Sequence, residues 1–456
     1  MTGVTPIPSV ASCSYPARPG NAVRPLVDGV PAFRRIGEAV AKAQHSVWLT
    51  VAFFAPDFQM PDSTGSVFDL LDRAVDRGLD VRVIFWRPNQ ESINYGRTFS
   101  GFREQRDLLK ARGSRFRIRW DRAFGPYCHH QKSWLIDAGQ PSETAFVGGT
   151  NLTARALGSP GHATDGERHD VYVEITGPSA TDVHHNFVQR WNEASERALD
   201  DGTWGHRGDD DLGFPGLASD PRGNSVVQIQ RMVHADRYRH GHPSPNGVAY
   251  AIAGGEQSVL TQYLEAIDAA RRSIYIENQA IPIPQVAAGL EQALSRGVEI
   301  VALVPADPED HVRVARQDPQ RKPLFDGIAA LGRYESFVLA GIAGLNAHGR
   351  RSTIYVHSKI MLVDDAWATI GSCNLHAHSL SGHTEMNASI WDPEVVRALR
   401  CELLAEHLGQ DTAAIDDRSA LRLFREIARA NRRKRDAVDF NWQGLAFSLD
   451  PAAYGA

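Results

Sequence analysis

Two short segments of this sequence carry a histidine, a lysine and an aspartate at identical spacing. The first is HQKSWLID from His130, and the second is HSKIMLVD from His357. Each is followed by a glycine-rich turn that ends in an asparagine, GGTN at Asn151 and GSCN at Asn374. One His-x-Lys pair on a strand is common, but two copies with the same spacing and the same following turn predict a shared catalytic site.

The spacing within each segment indicates which side chains can act together. If the segment is a β-strand, its side chains alternate between two faces, so His130 and Lys132 share a face and Asp137 points to the other. We therefore expect His and Lys to reach one small anion together, and the Asp to make a structural ion pair or turn contact. The second copy repeats this pattern with His357, Lys359 and Asp364.

These residue types suit the transfer of a phosphodiester group. Lysine supplies a fixed positive charge, and the amide of an asparagine can donate a hydrogen bond to the same phosphate oxygens. Histidine titrates near neutral pH, so one imidazole can attack phosphorus while another protonates the departing oxygen. We therefore predict a phosphohistidine intermediate that water or an alcohol resolves.

The elements that must position these residues also occur twice, in the same order. Each copy reads as an amphipathic helix, a strand, a helix closed by a glycine, and an apolar strand, with the closing glycines at Gly78 and Gly297. The two His–Lys segments and their turns follow, and then DVYVEITGP from Asp170 and EMNASIWDP from Glu385. Five matched elements in one order indicate a tandem duplication of an α/β unit.

The duplication defines the predicted domain boundaries. A segment rich in Gly, Asp and Pro separates the copies, and a helical stretch with a basic run follows the second. The predicted parts are a flexible N-terminal tail (1–22), a first half (23–199), a linker or insert (200–225), a second half (226–410) and a C-terminal helical extension and tail (411–456).

Composition narrows the class of protein. The 456 residues are 42% hydrophobic and 23% charged, with a formal net charge of −5, which is an ordinary globular balance without a global basic field for nucleic acid. The four cysteines show no CxxC spacing, so neither a zinc site nor a disulfide framework is predicted. No signal peptide or membrane-spanning run is evident, so we expect a cytoplasmic or peripheral membrane protein, with signal-independent export left open.

At these residues the sequence resembles the phospholipase D superfamily, whose signature is H-x-K-x4-D followed by a G-G/S-x-N turn. The resemblance covers about residues 25 to 405. It implies two tandem, pseudo-symmetric α/β/α sandwich halves with the active site at their interface, no metal or cofactor for the chemistry, and no need for an obligate protein partner, so a monomer. The matching residues are His130, Lys132, Asp137, Gly148, Gly149 and Asn151, then His357, Lys359, Asp364, Gly371, Ser372 and Asn374.

The resemblance also implies roles for particular residues. It makes His130 the nucleophile and His357 the general acid, while the neighbouring His129 lacks the motif spacing. It further implies that the downstream acids Asp170 and Glu385 orient the imidazoles across the interface between the halves, since a carboxylate on one ring nitrogen fixes the tautomer. The alternative for these two acids is a surface position at the start of a strand.

The superfamily contains several activities, so the expected function includes alternatives. We expect a phospholipase D-type phosphodiesterase or phosphatidyltransferase that acts on phospholipid at a membrane surface with water or an alcohol as acceptor, because VQIQRMV near Val226 and IYIENQ from Ile274 resemble phospholipase D enzymes. A nuclease of the same superfamily, a cardiolipin synthase-like transferase and, last, a non-catalytic scaffold stay open.

Three further groups of residues near the motifs, an aromatic segment, three histidines and two cysteines, have predicted roles. An aromatic and arginine-rich segment from Asn94 to Tyr127 suits a lipid headgroup interface, with a packed insert or channel wall as the alternative. Its aromatic residues are Tyr95, Phe99, Phe102, Phe116, Trp120, Phe124 and Tyr127. We expect His376, His378 and His383 to line the cleft rather than hold a metal, and Cys128 and Cys373 to be small buried residues.

Overall fold

A computed structural model describes residues 6–196 and 210–456 of the chain. Part of the predicted linker, residues 200–209, and the first five residues of the predicted tail lie outside the described residues. The first strand begins at Arg18, inside the segment predicted as a flexible tail, because the Arg18 guanidinium forms a buried ion pair with Asp182 at 2.7 Å. Among the described residues, no helix has both the length and the apolar character that a membrane crossing requires.

Strands and helices alternate along most of the described chain, as expected for an α/β fold. The strands are β1 Arg18–Val27, β2 Ser46–Val51, β3 Asp80–Trp86, β4 Arg117–Asp121, β5 Ser133–Ile136, β6 Thr144–Gly148, β7 Arg168–His169, β8 Val171–Thr176, β9 Ser225–Val233, β10 Glu256–Gln257, β11 Ser273–Asn278, β12 Glu299–Leu303, β13 Phe337–Leu345, β14 Arg351–Val356, β15 Lys359–Val363, β16 Trp367–Gly371, β17 Glu385–Trp391 and β18 Ala446–Ser448. The helices are α1 Gly29–Lys42, α2 Val67–Asp76, α3 Arg103–Arg112, α4 Ala180–Asn192, α5 Ser258–Ala269, α6 Pro284–Ser295, α7 Asp310–Gln317, α8 Lys322–Leu331, α9 Ala377–Ser381, α10 Pro393–Leu408 and α11 Asp417–Asp436.

The two halves have the same strand order. In the first half the order is β4-β3-β2-β5-β6-β8-β1, and in the second it is β13-β12-β11-β15-β16-β17-β9. The first three strands of each list are parallel, and the others pair antiparallel. β1 also pairs with β9, which joins the halves. The prediction of a duplicated α/β fold is confirmed.

The helices that connect the parallel strands end where the sequence predicted. Gly78 and Gly297 both have φ 85°, the left-handed conformation that glycine adopts without a steric cost, just after α2 and α6. The chain can therefore reverse at once into β3 and β12. The start of α2 is held by Ser66, whose hydroxyl accepts the backbone N–H of Asp69.

Among the described residues the apolar core has three large parts and two small ones, and the central part belongs to both halves. It joins strand residues of the first half, such as Val147 and Val173, to those of the second, such as Ile360 and Ile370, and it is covered by α4, α10 and α11. Separate outer cores pack α1 and α2 on the first sheet and α5 and α6 on the second. α11 and β18 fall in the predicted C-terminal extension, and β18 pairs with β13 as an added strand of the second sheet.

The aspartate of each His–Lys segment stabilises the turn that starts its own half. Asp137 accepts the backbone N–H groups of Gln44, His45 and Ser46 at 2.7 to 3.2 Å. Asp364 accepts those of Arg271, Arg272 and Ser273, each at 2.8 Å. Both aspartates follow the strand that carries the segment, with φ 54° and 57°. They hold the ends of β5 and β15 against the starts of β2 and β11, away from the His–Lys pairs.

This contact predicts the effect of removing one aspartate. Asp364→Ala leaves three backbone N–H groups, one buried and two partly buried, without an acceptor, so we expect the free energy of unfolding to fall by about 3 kcal/mol. Urea denaturation followed by circular dichroism measures it. The control is Asp268→Ala, whose side chain is 82% exposed and should change stability by less than about 0.5 kcal/mol. Equal stability of the two variants would contradict this structural role.

Candidate active site

Each motif histidine forms a buried pair with a carboxylate from the other half. His130 Nδ1 lies 2.9 Å from Glu385 Oε2, and His357 Nδ1 lies 2.6 Å from Asp170 Oδ2. All four side chains are buried. The pairs are therefore His–carboxylate dyads in which each carboxylate can accept the Nδ1 proton and leave Nε2 for chemistry. The alternative expectation, that these acids lie at the surface, is wrong.

Backbone pairing between the halves sets the dyads in place. The His130 N–H donates to the carbonyl of Thr384 at 2.9 Å, one residue before Glu385. The His357 N–H donates to the carbonyl of His169 at 2.8 Å, one residue before Asp170. His130 consequently precedes β5 rather than lying within it, because its backbone pairs with the opposite half and not with its own sheet.

The two carboxylates are anchored differently. Glu385 accepts the hydroxyls of Ser372 and Ser379, both at 2.6 Å, in addition to His130. Asp170 accepts the backbone N–H of Val171 at 2.9 Å. Burial raises the pKa of both carboxyl groups, although nearby lysines oppose the rise. The hydroxyls and the N–H group supply hydrogen bonds that lower the cost of burying these acids.

The two lysines lie in the same site as both histidines. Lys132 Nζ donates to the His130 carbonyl at 2.7 Å, and Lys359 Nζ donates to the His357 carbonyl and to Gln279 Oε1, the latter at 2.9 Å. Burial lowers the pKa of Lys132 to about 8 and that of Lys359 to about 7. A phosphate between them would favour the charged form of both.

The pKa values of both imidazoles are shifted by burial and by charged groups of both halves. Burial lowers the pKa of His130 well below its usual range, and Lys132 and Lys359 lower it further. Burial likewise lowers the pKa of His357, with Lys359, Arg168 and Lys132 contributing. A neutral imidazole with Nδ1–H donated to a carboxylate has a free Nε2 lone pair, which is the nucleophilic form.

The first glycine-rich turn brings Asn151 to the site. Asn151 Nδ2 lies 3.4 Å from His357 Nε2, so an amide donor faces the reactive nitrogen. The turns have no room for a side chain at their glycines. A Cβ on Gly149 would lie 2.7 Å from Asp170 Oδ1 and 2.9 Å from Lys359 Cδ. A Cβ on Gly371 would lie 2.2 Å from Asn387 Oδ1. Gly148 packs with equal closeness on the Tyr172 ring.

The predicted site residues thus divide into two groups. The structure brings together seven of the eight catalytic candidates, with Ser372 and the glycines beside them, and leaves the two motif aspartates outside, in the turns described above. Asn374 is buried in its own turn. His129 lies apart from the dyads and contacts Thr384 Oγ1 at 2.6 Å and the Arg122 carbonyl at 3.0 Å. The buried candidates are His130, Lys132, Asn151, Asp170, His357, Lys359, Asn374 and Glu385.

The aromatic segment 94–127 is only partly available to a membrane. Phe99 is fully buried, as are Phe116 and Trp120, since they pack with the core under α2, and the interface hypothesis is wrong for these three rings. Phe102 and Phe124 are 48% and 72% exposed. The exposed residues of this segment remain a candidate membrane contact.

The histidines after Asn374 border the dyad of the first half. The His383 ring centroid lies 6.0 Å from that of His130, and its Nδ1 faces the Cys128 N–H at 3.0 Å. Within the described part of the chain, His376, His378 and His383 do not converge closely enough to share a metal ion. Cys128 and Cys373 are both fully buried, as expected.

Sequence reasoning missed several residues that contact the site. Gln279 bonds Lys359, Ser379 bonds Glu385, and the Phe53 ring lies 5.8 Å from both the His130 ring and Lys132 Nζ. On the other side, the Tyr355 ring centroid is 6.3 Å from that of His357. Gln279 ends the IYIENQ stretch, but the repeat alignment could not have identified it, because Ala52 occupies the corresponding position of the first half.

The chain is similar to several known proteins. A family model described as "Cardiolipin synthase, PLD-like domain" matches residues 36–191 and 263–406. The chain is 24% identical to phospholipase D A of Dictyostelium discoideum over 87% of its length, and 22% identical to cardiolipin synthase 1 of Staphylococcus epidermidis (strain ATCC 12228 / FDA PCI 1200) over 83%. It spans 36% and 66% of those two proteins.

A solved structure shares the fold. The crystal structure of phosphatidylserine synthase from Haemophilus influenzae Rd KW20 superimposes with a TM-score of 0.54 at 14% identity. The match covers 92% of this chain and 95% of that one, so the fold similarity extends across both halves.

The close contact at Gly149 predicts a loss of activity without a loss of fold. In Gly149→Ala the new Cβ must displace Asp170 or Lys359, so we expect turnover of a chromogenic phosphodiester to fall about 100-fold. The matched control is Gly216→Ala, because a Cβ there meets nothing within 4 Å among the described atoms. Turnover and thermal melting are measured for both variants. Equal turnover of the two variants would contradict the assignment of this turn to the site.

Proposed function

Because the chain belongs to the phospholipase D-like family, we propose that it cleaves the distal phosphodiester bond of glycerophospholipids and passes the phosphatidyl group to water or an alcohol. The observation that carries this proposal is the pair of dyads. The His130–Glu385 and His357–Asp170 pairs each cross between the halves. The charges of both lysines lower the pKa of both imidazoles. Such a site can hold one phosphate anion between two histidines of opposite role.

In the first step of the proposed reaction, His130 is the nucleophile. Its Nδ1–H is donated to Glu385, so the Nε2 lone pair attacks phosphorus and a P–N bond forms. The bond from phosphorus to the headgroup oxygen breaks with its electron pair on oxygen. His357 delivers its Nε2 proton to that oxygen while Asp170 stabilises the imidazolium through Nδ1. The products are a free headgroup alcohol and phosphatidyl-His130.

Substrate binding explains how His357 comes to be protonated. Burial and neighbouring cations lower its pKa, whereas a phosphodiester bound between Lys132 and Lys359 brings a negative charge that raises it. Binding and protonation are then coupled, and the acid forms where it is needed. The same lysines stabilise the charge that develops on the phosphoryl oxygens.

The second step reverses the proton transfers. Neutral His357 accepts a proton from water or an alcohol, the acceptor oxygen attacks phosphorus, and the P–N bond breaks with its electron pair returned to His130. Water gives phosphatidic acid, and an alcohol gives a new phosphatidyl ester. Asp170 and Glu385 hold both rings in the same orientation throughout.

Two observations support lipid as the substrate. The relatives reported above are named phospholipase D and cardiolipin synthase, and both names refer to phospholipid chemistry. The exposed rings Phe102 and Phe124 belong to the segment that also carries Tyr95, whose hydroxyl lies 3.3 Å from His378 beside the site. Aromatic side chains of this kind suit the polar boundary of a bilayer.

A product assay tests the substrate and the two histidines together. Purified protein is incubated with mixed phospholipid vesicles and a primary alcohol, and products are analysed by mass spectrometry. We expect phosphatidic acid and phosphatidyl-alcohol from the wild type and from His184→Asn, and neither product from His130→Asn or His357→Asn. His184 is the matched control, because it is a buried histidine on a carboxylate, Glu143 at 2.9 Å, outside the site.

A parallel incubation with single-stranded and duplex DNA distinguishes the rival substrate. Cleaved DNA with unchanged lipid would replace the lipid proposal by a nuclease with the same two-histidine mechanism. Lipid turnover that survived both histidine substitutions would contradict the mechanism itself.

A burst experiment assigns the two histidines. A p-nitrophenyl phosphodiester has a leaving group that departs without an acid, so His357→Asn should still release about one equivalent of p-nitrophenolate per chain and then stall. His130→Asn should show no burst. Mass spectrometry of the stalled protein at alkaline pH should find the phosphoryl group on His130. A burst from His130→Asn and none from His357→Asn would exchange the two roles.

A further inference from the structure

A second cluster of ionisable side chains lies on the seam between the halves, behind the His357 dyad. It contains Asp28, from the end of β1, His162 and His169, from the segment before β8, and Glu406, from α10. The two histidines and Asp28 are fully buried, and the side chain of Glu406 is 10% exposed. None of these residues touches the phosphoryl group in the mechanism above.

The facing atoms of this cluster lie 2.9 to 4.0 Å apart, a range that brackets the separations between ligands of one metal ion. His162 Nε2 lies 3.3 Å from His169 Nδ1 and 3.3 Å from Asp28 Oδ1, and His169 Nδ1 lies 2.9 Å from Asp28 Oδ1. The oxygens of Glu406 lie 3.7 and 4.0 Å from the two imidazole nitrogens. A tetrahedral zinc ion with ligands at about 2.0 to 2.2 Å requires neighbouring ligands to be roughly 3.3 to 3.6 Å apart.

The other ring nitrogen of each histidine faces its own carboxylate. His169 Nε2 lies 3.0 Å from Glu277 Oε2, and His162 Nδ1 lies 3.4 Å from Glu167 Oε2. A metal-ligating histidine commonly donates its second N–H to a carboxylate, which fixes the tautomer and turns the free lone pair toward the ion. His169 shows that arrangement through Glu277, whereas Glu167 lies beside His162 Nδ1, which has no hydrogen-bond partner among the described residues.

Two further features distinguish the cluster from an ordinary ion-pair network. Asp28 Oδ2 is buried, and no group within the described ranges donates a hydrogen bond to it. Two imidazole nitrogens 3.3 Å apart also cannot both carry a proton without repulsion, although each faces carboxylates on several sides. A cation among the four side chains satisfies Asp28 and both lone pairs at once.

We propose that Asp28, His162, His169 and Glu406 bind one divalent transition metal ion of the zinc type. The two imidazole nitrogens disfavour Ca²⁺ and Mg²⁺, which prefer oxygen ligands, and favour zinc. Four protein ligands leave no open position, which is typical of a structural site. The chemistry at His130 and His357 needs no metal, so this site is independent of the proposed function.

The ion would cross-link the two halves next to the His357–Asp170 dyad. Three ligands come from the first half and Glu406 comes from α10, which follows the second sheet. The backbone of His169 accepts the N–H of His357, and the next residue, Asp170, orients the His357 ring. The metal would therefore stabilise the backbone that positions this dyad without touching the substrate.

Metal content tests the proposal directly on the whole 456-residue chain. The wild type is stripped with a chelator, incubated with Zn²⁺ alone, desalted and analysed by inductively coupled plasma mass spectrometry. We expect one zinc per chain in the wild type and in the control His184→Asn, and less than one tenth of that in His162→Asn and Glu406→Gln. Co²⁺ in place of Zn²⁺ should give the intense visible absorption of a tetrahedral site.

A milder variant keeps the test informative if a ligand variant does not fold. Glu167→Gln retains all four ligands and removes only the carboxylate behind His162, so we expect zinc affinity to fall about 10- to 100-fold while the protein stays folded. Chelator should lower the melting temperature of the wild type more than that of Glu167→Gln. Wild type that retains no zinc, or equal zinc in His162→Asn and His184→Asn, would overturn the proposal and leave a proton-linked ion-pair network.

Discussion

The exchange of carboxylates between the halves is the constraint on which the rest of this structure depends. Glu385 of the second half completes the dyad of His130, and Asp170 of the first half completes that of His357. Each of these side chains is buried, and a buried acid or base is costly unless it is hydrogen-bonded. Each histidine finds its carboxylate only in the other half, so the interface and the active site form together.

The duplication supplies two similar dyads, and small departures from symmetry make them different. Lys359 donates a hydrogen bond to Gln279, which follows β11. Ala52 occupies the corresponding position after β2 and cannot accept a side-chain hydrogen bond. Lys132 lies over the Phe53 ring instead. A longer acid with two serine hydroxyls faces His130, and a shorter acid with one backbone N–H faces His357. These differences give the two imidazoles different surroundings, as two opposite roles require.

How much the sequence could predict depends on how local each signal is. The His–Lys segments, their turns and Gly78 are local patterns, so the duplicated α/β fold and the motif residues could be predicted from them, whereas the strand order could not. Burial of Phe99 could not be predicted, because its neighbours in the sequence do not show which ring enters the core. The cluster around His169 was also out of reach, since its members are far apart in sequence and only β1 and α10 bring them together.

The proposed two-step reaction explains why a nearly symmetric seam is useful. The headgroup leaves past His357 in the first step, and the acceptor enters past the same ring in the second, so one dyad serves both proton transfers. The acceptor is then selected by the walls next to His357 rather than by the dyads. Those walls include Tyr355, whose ring stacks under the Arg168 guanidinium at 5.1 Å. Under this mechanism, His357 can accept a proton from either water or an alcohol. The balance between hydrolysis and transfer therefore depends on how well these side chains exclude water from the His357 ring.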